Sequence, residues 1–236
     1  MKLNLFLLER SNLQKFYSIM IFVLAVMSGA SANLSASPII VTLNAEDGRR
    51  GDILVGNTGD RTQYLNIAAL RILQPGQSPE QYLRSPVPSE VGLLVAPRRL
   101  VLRPGEEKVI RVILLAEDIP TDLAWRVRIE PVIGDITSSK PVAITNVTYD
   151  ALVFARPSDP VANVIGERDG NRLILRNEGN TNALLRSGEQ CLSDTDCVAI
   201  AGKRLWPGMS WTIDLAHPVP VSFVERGPGD EQILVY

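Results

Sequence analysis

Residues 95–131 limit the possible fold more than any other part of the chain. They hold three short strand-like runs separated by turn chemistry. Leu100, Val101 and Leu102 lead into Arg103-Pro104-Gly105, where proline fixes φ and glycine accepts φ > 0, as a tight turn requires. From 108 to 115 the run is rich in β-branched residues, with Val109, Arg111 and Ile113 on one face and Ile110, Val112 and Leu114 on the other. One face is wholly apolar and the other carries a single charge, which predicts a strand largely buried in a sandwich or barrel. After Ile119-Pro120-Thr121-Asp122, the third run puts Trp125, Val127 and Ile129 inward and Arg126, Arg128 and Glu130 outward. That alternation predicts a half-buried antiparallel strand.

A Pro-Gly turn, an Ile-Arg-Val strand, an Ile-Pro-x-Asp loop and a closing strand ending in Pro131 resemble the first domain of PapD-like periplasmic chaperones. That family serves chaperone–usher pilus assembly. Order and spacing match across the whole stretch.

The start of the chain reads as a targeting segment. Lys2, Arg10 and Lys15 precede an apolar run over 16–27, and Ala30-Ser31-Ala32 supplies small residues for cleavage, the pattern of a secretory signal peptide over 1–32. The competing reading is a membrane anchor, but the run is short of the ~20 residues a spanning helix needs. Without 1–32, the balance of 24 Lys+Arg to 26 Asp+Glu becomes 21 against 25, because three basic residues and Glu9 are removed. This mild negative charge gives no general pull toward nucleic acid.

The two cysteines, in Cys191-Leu-Ser-Asp-Thr-Asp-Cys197, would meet oxidising conditions after export, so a disulfide across this small loop is expected. A redox-active pair is the alternative, though that chemistry favours Cys-x-x-Cys at a helix start. Asp194 and Asp196 bring calcium to mind, but two carboxylates fall short of the 6–8 oxygens calcium takes. A solvated loop is the expectation there, and no metal site is predicted.

Along the chain, Pro38-Ile-Ile-Val-Thr-Leu reads as an apolar first strand, residues 44–51 as a turn, and 52–60 as a strand followed by a hairpin connection. Residues 64–73 fit helix or strand by pattern; strand neighbours and the resemblance favour strand. Residues 74–90, rich in Pro, Ser, Gln and Gly, predict an irregular surface excursion. An extended segment over 141–156 is apolar at both ends and polar in the middle on its even face, as in a strand that changes environment or carries a bulge. Arg156-Pro157 is the natural boundary, since proline cannot continue a central ladder. Beyond it, strands are expected at 172–176, 183–186, 211–215 and 220–224, in a second, smaller β domain. No repeat at a fixed period is evident.

Enzyme signatures are scarce. His217 is the only histidine and sits in a turn-like Ala-His-Pro, without a placed nucleophile. Gly48-Arg-Arg-Gly51 lacks the strand-to-helix context of a phosphate loop, metal-ligand clusters are absent, and no spacing pairs two carboxylates as acid and base. A non-enzyme without cofactor is expected.

The second domain adds to the resemblance. A Leu-Ile-Leu strand, Asn177-Glu-Gly-Asn-Thr, the close cysteine pair and Pro207-Gly208 resemble chaperones of the alternate chaperone–usher class. The resemblance implies an all-β fold of two immunoglobulin-like sandwiches set at an angle in a boomerang arrangement: a pilin-binding domain over 33–156 and a smaller one over 157–236. It implies a periplasmic location, pilus subunits and an outer-membrane usher as partners, and no stable membrane insertion after signal cleavage. It also implies donor-strand complementation, in which a chaperone strand lends alternate side chains to a subunit that lacks one strand.

Aligning Phe154-Ala155-Arg156-Pro157 with the strand end of the family puts Ala143, Thr145 and Val147 at the donated positions, with Tyr149 next on that face. An ordinary core strand with a bulge is the competing reading. Departures are clear: where the family carries basic residues to hold the subunit carboxylate, this chain has Ile39 to Val41 and Leu152. Arg49, Arg50, Arg71 and Lys140 are candidate substitutes. Arg156 matches an arginine that ties the two domains together, and its usual acid is replaced by Ala124, which leaves Glu225 or Asp230 as candidate partners. The alternative function is an exported β-sandwich adhesin or structural pilus component.

Overall fold

A computed structural model describes residues 34–44, 47–132 and 147–236. The leader expected over 1–32 and the candidates Lys140, Ala143 and Thr145 lie outside those residues. The first strands are β1 (Leu34–Ser37) and β2 (Ile40–Leu43), followed by β3 (Arg50–Asn57), β4 (Gln63–Ile72) and the short β5 (Tyr82–Leu83). A single helical turn, α1 (Pro88–Val91), leads to β6 (Leu93–Ala96), β7 (Arg99–Leu102), β8 (Glu107–Leu114), β9 (Leu123–Pro131) and β10 (Tyr149–Ala155). The rest comprises β11 (Val164–Asp169), β12 (Arg172–Asn177), β13 (Ala183–Ser193), β14 (Asp196–Leu205), β15 (Ser210–Asp214), β16 (Ser222–Arg226) and β17 (Gln232–Val235).

These strands form two sandwiches. In the first, a sheet ordered β1-β3-β8-β6 faces one ordered β2-β10-β9-β4-β5, with β7 also paired to β4. Trp125, Val127 and Ile129 turn inward together with Ile53, Val55, Ile110 and Val112, and all seven are essentially inaccessible. At roughly 1.5–3 kcal/mol per buried large apolar side chain, this row is the main source of stability. Trp125 also spends its one polar group, donating Nε1–H to the Val91 carbonyl at 2.8 Å. Residues 108–115 bear out the alternation but not the two-sided burial: Val109 is 46% exposed and Arg111 pairs with Asp52 on a solvent face.

The apolar run at 38–43 holds β2, and a strand not anticipated from the sequence, β1, precedes it. β1 pairs antiparallel with β3, whereas β2 pairs in parallel with β10, so the chain crosses from one sheet to the other at Pro38. The second sandwich opposes β11-β12-β15 to β14-β13-β16-β17. Leu173, Leu175, Leu185, Leu205, Val221 and Phe223 fill it. Gly188 lies against the Phe223 ring at an irregularity in the β13–β16 pairing, where a Cβ would overlap the ring.

Both sandwiches use the same corner. Asn57, ending β3, donates Nδ2–H to the carbonyls of Arg61 (2.7 Å) and Leu102 (3.0 Å), while Oδ1 accepts the Gly59 N–H. Asn177, ending β12, donates to Thr181 (2.8 Å) and Leu205 (2.9 Å) and accepts from Gly179. The Pro-Gly turns complete each corner: Gly105 N–H bonds Asn57 O, and Gly208 N–H bonds Asn177 O. Both glycines have positive φ, 73° and 76°, which explains their residue type. A buried amide with every polar atom engaged adds stability that an apolar side chain could not.

Candidate functional site

Two places in the described structure combine unusual groups: the edge formed by β2 and β10, and the junction between the sandwiches. β10 pairs along its full length with β9, from Tyr149↔Ile129 to Ala155↔Leu123. β2 covers only Leu152 to Ala155 on the other side. Among the described residues, the start of β10 is therefore hydrogen-bonded on one side only, with backbone groups free to accept another strand. Ile39 and Ile40 beside it are 58% and 48% exposed.

Of the donor-position candidates, Val147 lies half-buried just ahead of β10, and Tyr149 starts the strand. Tyr149 packs on the first core and donates its hydroxyl to the Leu34 carbonyl at 2.7 Å, which ties it into its own sandwich. No basic side chain occurs on β2 or β10. Arg49, the last residue of the turn at 47–49, adopts φ 58°, and its Nη2 is buried without a hydrogen-bond partner among the described residues. Arg50 is exposed, and Arg71 lines a cleft of about 470 Å³ with Leu73, Leu83, Asp122, Trp206 and Met209.

The junction is the more elaborate site. Phe154 from β10, Ile72 from β4 and Ala124 from β9 pack against Trp206, which follows β14. Phe154 and Trp206 meet edge to face at 5.8 Å, and Arg156 and Arg204 lie over the Phe154 ring at 5.6 and 5.3 Å. Beside them Asp122, only 7% exposed, sends its carboxylate into the second sandwich. Thr181 Oγ1–H donates to Oδ1 at 2.8 Å, and the Asn182 backbone N–H and Nδ2–H both donate to Oδ2 at 2.6 Å. In return the Asp122 backbone N–H and the Thr121 hydroxyl donate to the Asn180 carbonyl, and Arg204 donates to Asn182 Oδ1.

Burial pushes the Asp122 carboxyl above its ordinary range, against the pull of the Asn182 and Thr181 donors and the Arg156 charge. Burial likewise pushes Arg156 and Arg204 down, and for Arg204 the neighbouring Arg156 adds to the effect. The carboxylate acting on Arg156 is thus Asp122, two residues before the Ala124 position from which an acid is missing. Glu225 sits elsewhere: it is buried on β16 and accepts Gln232 Nε2–H at 2.5 Å. In the sequence Asp122 stands out only as part of the Ile-Pro-x-Asp loop, because the partners that give it a role at the junction lie 59 and 60 residues away.

The cysteines form the expected disulfide, directly opposite one another on β13 and β14 with Cα atoms 4.0 Å apart. Glu189 lies beside them, and its carboxylate and the two sulfurs are the only group of three or more candidate metal-ligating side chains brought together among the described residues. Both sulfurs are spent in the disulfide. No helix among the described residues is long and apolar enough to cross a membrane.

No family model matches the chain, and no curated protein does. Solved structures do. The class 5 fimbriae chaperone CfaA aligns over 86% of this chain and 98% of its own, with a TM-score of 0.68 and 25% identity. A chain of a chaperone–tip adhesin complex of CFA/I fimbriae aligns over 87% and 98%, at TM-score 0.64 and 26% identity. A chain of the Salmonella enterica SafA pilin–SafB chaperone complex aligns over 89% and 98% at TM-score 0.60; at 14% identity it shows the fold alone. The resemblance read from residues 95–131 and from the second domain therefore extends through most of the structure, and the chain has the two-domain β-sandwich fold of fimbrial chaperones.

Proposed function

We propose that this protein is a periplasmic chaperone that binds fimbrial subunits by donor-strand complementation and passes them to an outer-membrane usher. The observation that carries this reading is the likeness of both sandwiches together to CfaA, across 98% of that chain. The one-sided start of β10 supports it, since an incomplete subunit sheet needs such an edge. In this reading the first domain ends at Arg156 and the second begins at Pro157.

Ala143, Thr145 and Val147 fill the subunit groove, and Tyr149, bound to Leu34, marks where the donated stretch returns to its own core. Arg49, with an unspent guanidinium nitrogen near the end of β2, receives the subunit carboxylate. The Asp122–Arg156–Arg204 group fixes the orientation of the domains. The mechanism uses binding alone and calls for no cofactor.

Co-expression of the chain in periplasm with a candidate subunit from the neighbouring operon tests this. A stable one-to-one complex is expected, with the subunit degraded when expressed alone, and with Val147→Asp and Arg49→Ala each lowering recovery at unchanged chaperone yield. A subunit that is soluble and indifferent to this protein refutes the reading. Loss of complex formation in neither variant removes these two site assignments.

A further inference from the structure

Glu225 is a buried acid that its own sandwich uses only in part. It follows Phe223 on the inward row of β16 and is 2% exposed. Oε2 accepts the Gln232 amide at 2.5 Å, but Oε1, equally buried, has no hydrogen-bond partner among the described residues. An unspent buried carboxylate oxygen is costly, because the water it lost has not been replaced by a donor.

Glu225 lines an open pocket of about 390 Å³ together with Val161, Ala162, Gly227, Asp230 and Glu231. Gly227 lies beside that oxygen: a Cβ there would stand 3.3 Å from the Ala162 Cβ and 3.8 Å from Oε1. The charged residues of the lining are all acidic, and Glu231 at the rim already pairs with Arg186 at 2.7 Å. Val161 and Ile233, 51% and 71% exposed, add apolar surface in the pocket wall and on the adjoining β17.

The volume and the donor set select the class of occupant. A divalent ion such as calcium wants 6–8 oxygens drawn close together. Among the described residues Glu225, Asp230 and Glu231 do not converge in that way. A lysine or arginine side chain fits better: its head supplies several N–H donors to one carboxylate, and its aliphatic stem lies along Val161 and the prolines of the rim. We propose that the Glu225 pocket is a receptor on the second sandwich for a basic side chain of a protein partner. It adjoins the junction, since Val161 exchanges hydrogen bonds with Asn180, whose carbonyl accepts the Asp122 backbone N–H; it uses none of the residues assigned to the chaperone reading and does not depend on that reading.

The test is calorimetric titration of the chain from residue 33 onward with a capped Gly-Arg-Gly tripeptide. The controls are the citrulline analogue, which keeps the shape without the charge, and calcium chloride. Saturable binding is expected with a Kd of about 1 mM, weakened about tenfold or more by citrulline, by Glu225→Gln and by Gly227→Val. Gly227→Val adds bulk against Oε1 while keeping the carboxylate, so it decides the matter if Glu225→Gln does not fold. Absence of saturable binding, equal binding of the citrulline peptide, or binding unchanged in the folded variants overturns the proposal. So does calcium binding that is lost in Glu225→Gln while the peptide does not bind, which would make the pocket a metal site.

Discussion

Replacing Asp122 with alanine tests whether one carboxylate sets the relation of the two sandwiches. The substitution deletes three charge-assisted hydrogen bonds, from Thr181 Oγ1 and from both nitrogens of Asn182. It leaves two half-buried guanidinium groups, Arg156 and Arg204, without the anion that acts on both. Bonds to charged groups contribute about 1.5–3 kcal/mol each, but the acid's own desolvation offsets part of that sum. Removing one partner from a buried charged network costs about 3–5 kcal/mol. For a chain of this size, ~2–4 °C per kcal/mol converts that to a fall in Tm of roughly 10 °C. Because the contacts join the sandwiches rather than fill either core, urea unfolding should also separate into two transitions. Small-angle scattering should broaden correspondingly. A Tm within about 2 °C of the parent, with a superimposable scattering profile, would refute the assignment.

Two pH effects follow from other groups. Arg126 holds Glu80, and Arg128 holds Asp150, below their ordinary ranges through bidentate contacts, so both pairs add stability above the unfolded pKa that is lost as pH falls through the folded one. Urea midpoints should therefore drop steeply below pH ~4, and Glu80→Gln should flatten that limb; an unchanged limb counts against the pair. Burial, with the Glu225 charge adding to it, pushes the Tyr236 phenol up to about 12. The unfolded tyrosine ionises first, so stability should fall as pH rises from about 10 to 12. Ultraviolet titration should show a late phenolate step that vanishes in Tyr236→Phe, and its persistence would reassign the step.

What the sequence made legible was whatever lay on a face. Trp125, Val127 and Ile129 alternate with charged residues, and so do their environments. Stretches that bury no large apolar side chain escaped. β11 reads Val-Ile-Gly-Glu-Arg-Asp with no buried position, and β13–β14 extends far past Arg186, where the buried positions of β13 are Gly188 and Gln190 rather than large apolar residues, with Gln190 bonded to His217 and Val219. The excursion over 74–90 is irregular as expected, yet it is anchored: Glu80 meets Arg126 and Tyr82, and β5 extends the sheet. At the junction, Arg156 was legible because it ends a strand in a known pattern. Its anion was not, because Asp122 sits in a loop and its role depends on residues sixty positions later.

The matched corners at Asn57 and Asn177 have a consequence for how such a chain can change. Every side-chain bond of Asn57 closes on residues 59 to 102, and every one of Asn177 on residues 163 to 205, so each corner is complete within its own sandwich. Closure is local, whereas the relation of one sandwich to the other rests on remote groups around Asp122 and Phe154. Substitutions that retune that relation, or reshape an edge for a different partner, leave both closures intact. The molecule is in this sense two self-sufficient frames joined by an adjustable fitting, and variation can accumulate at the fitting without unfolding either frame.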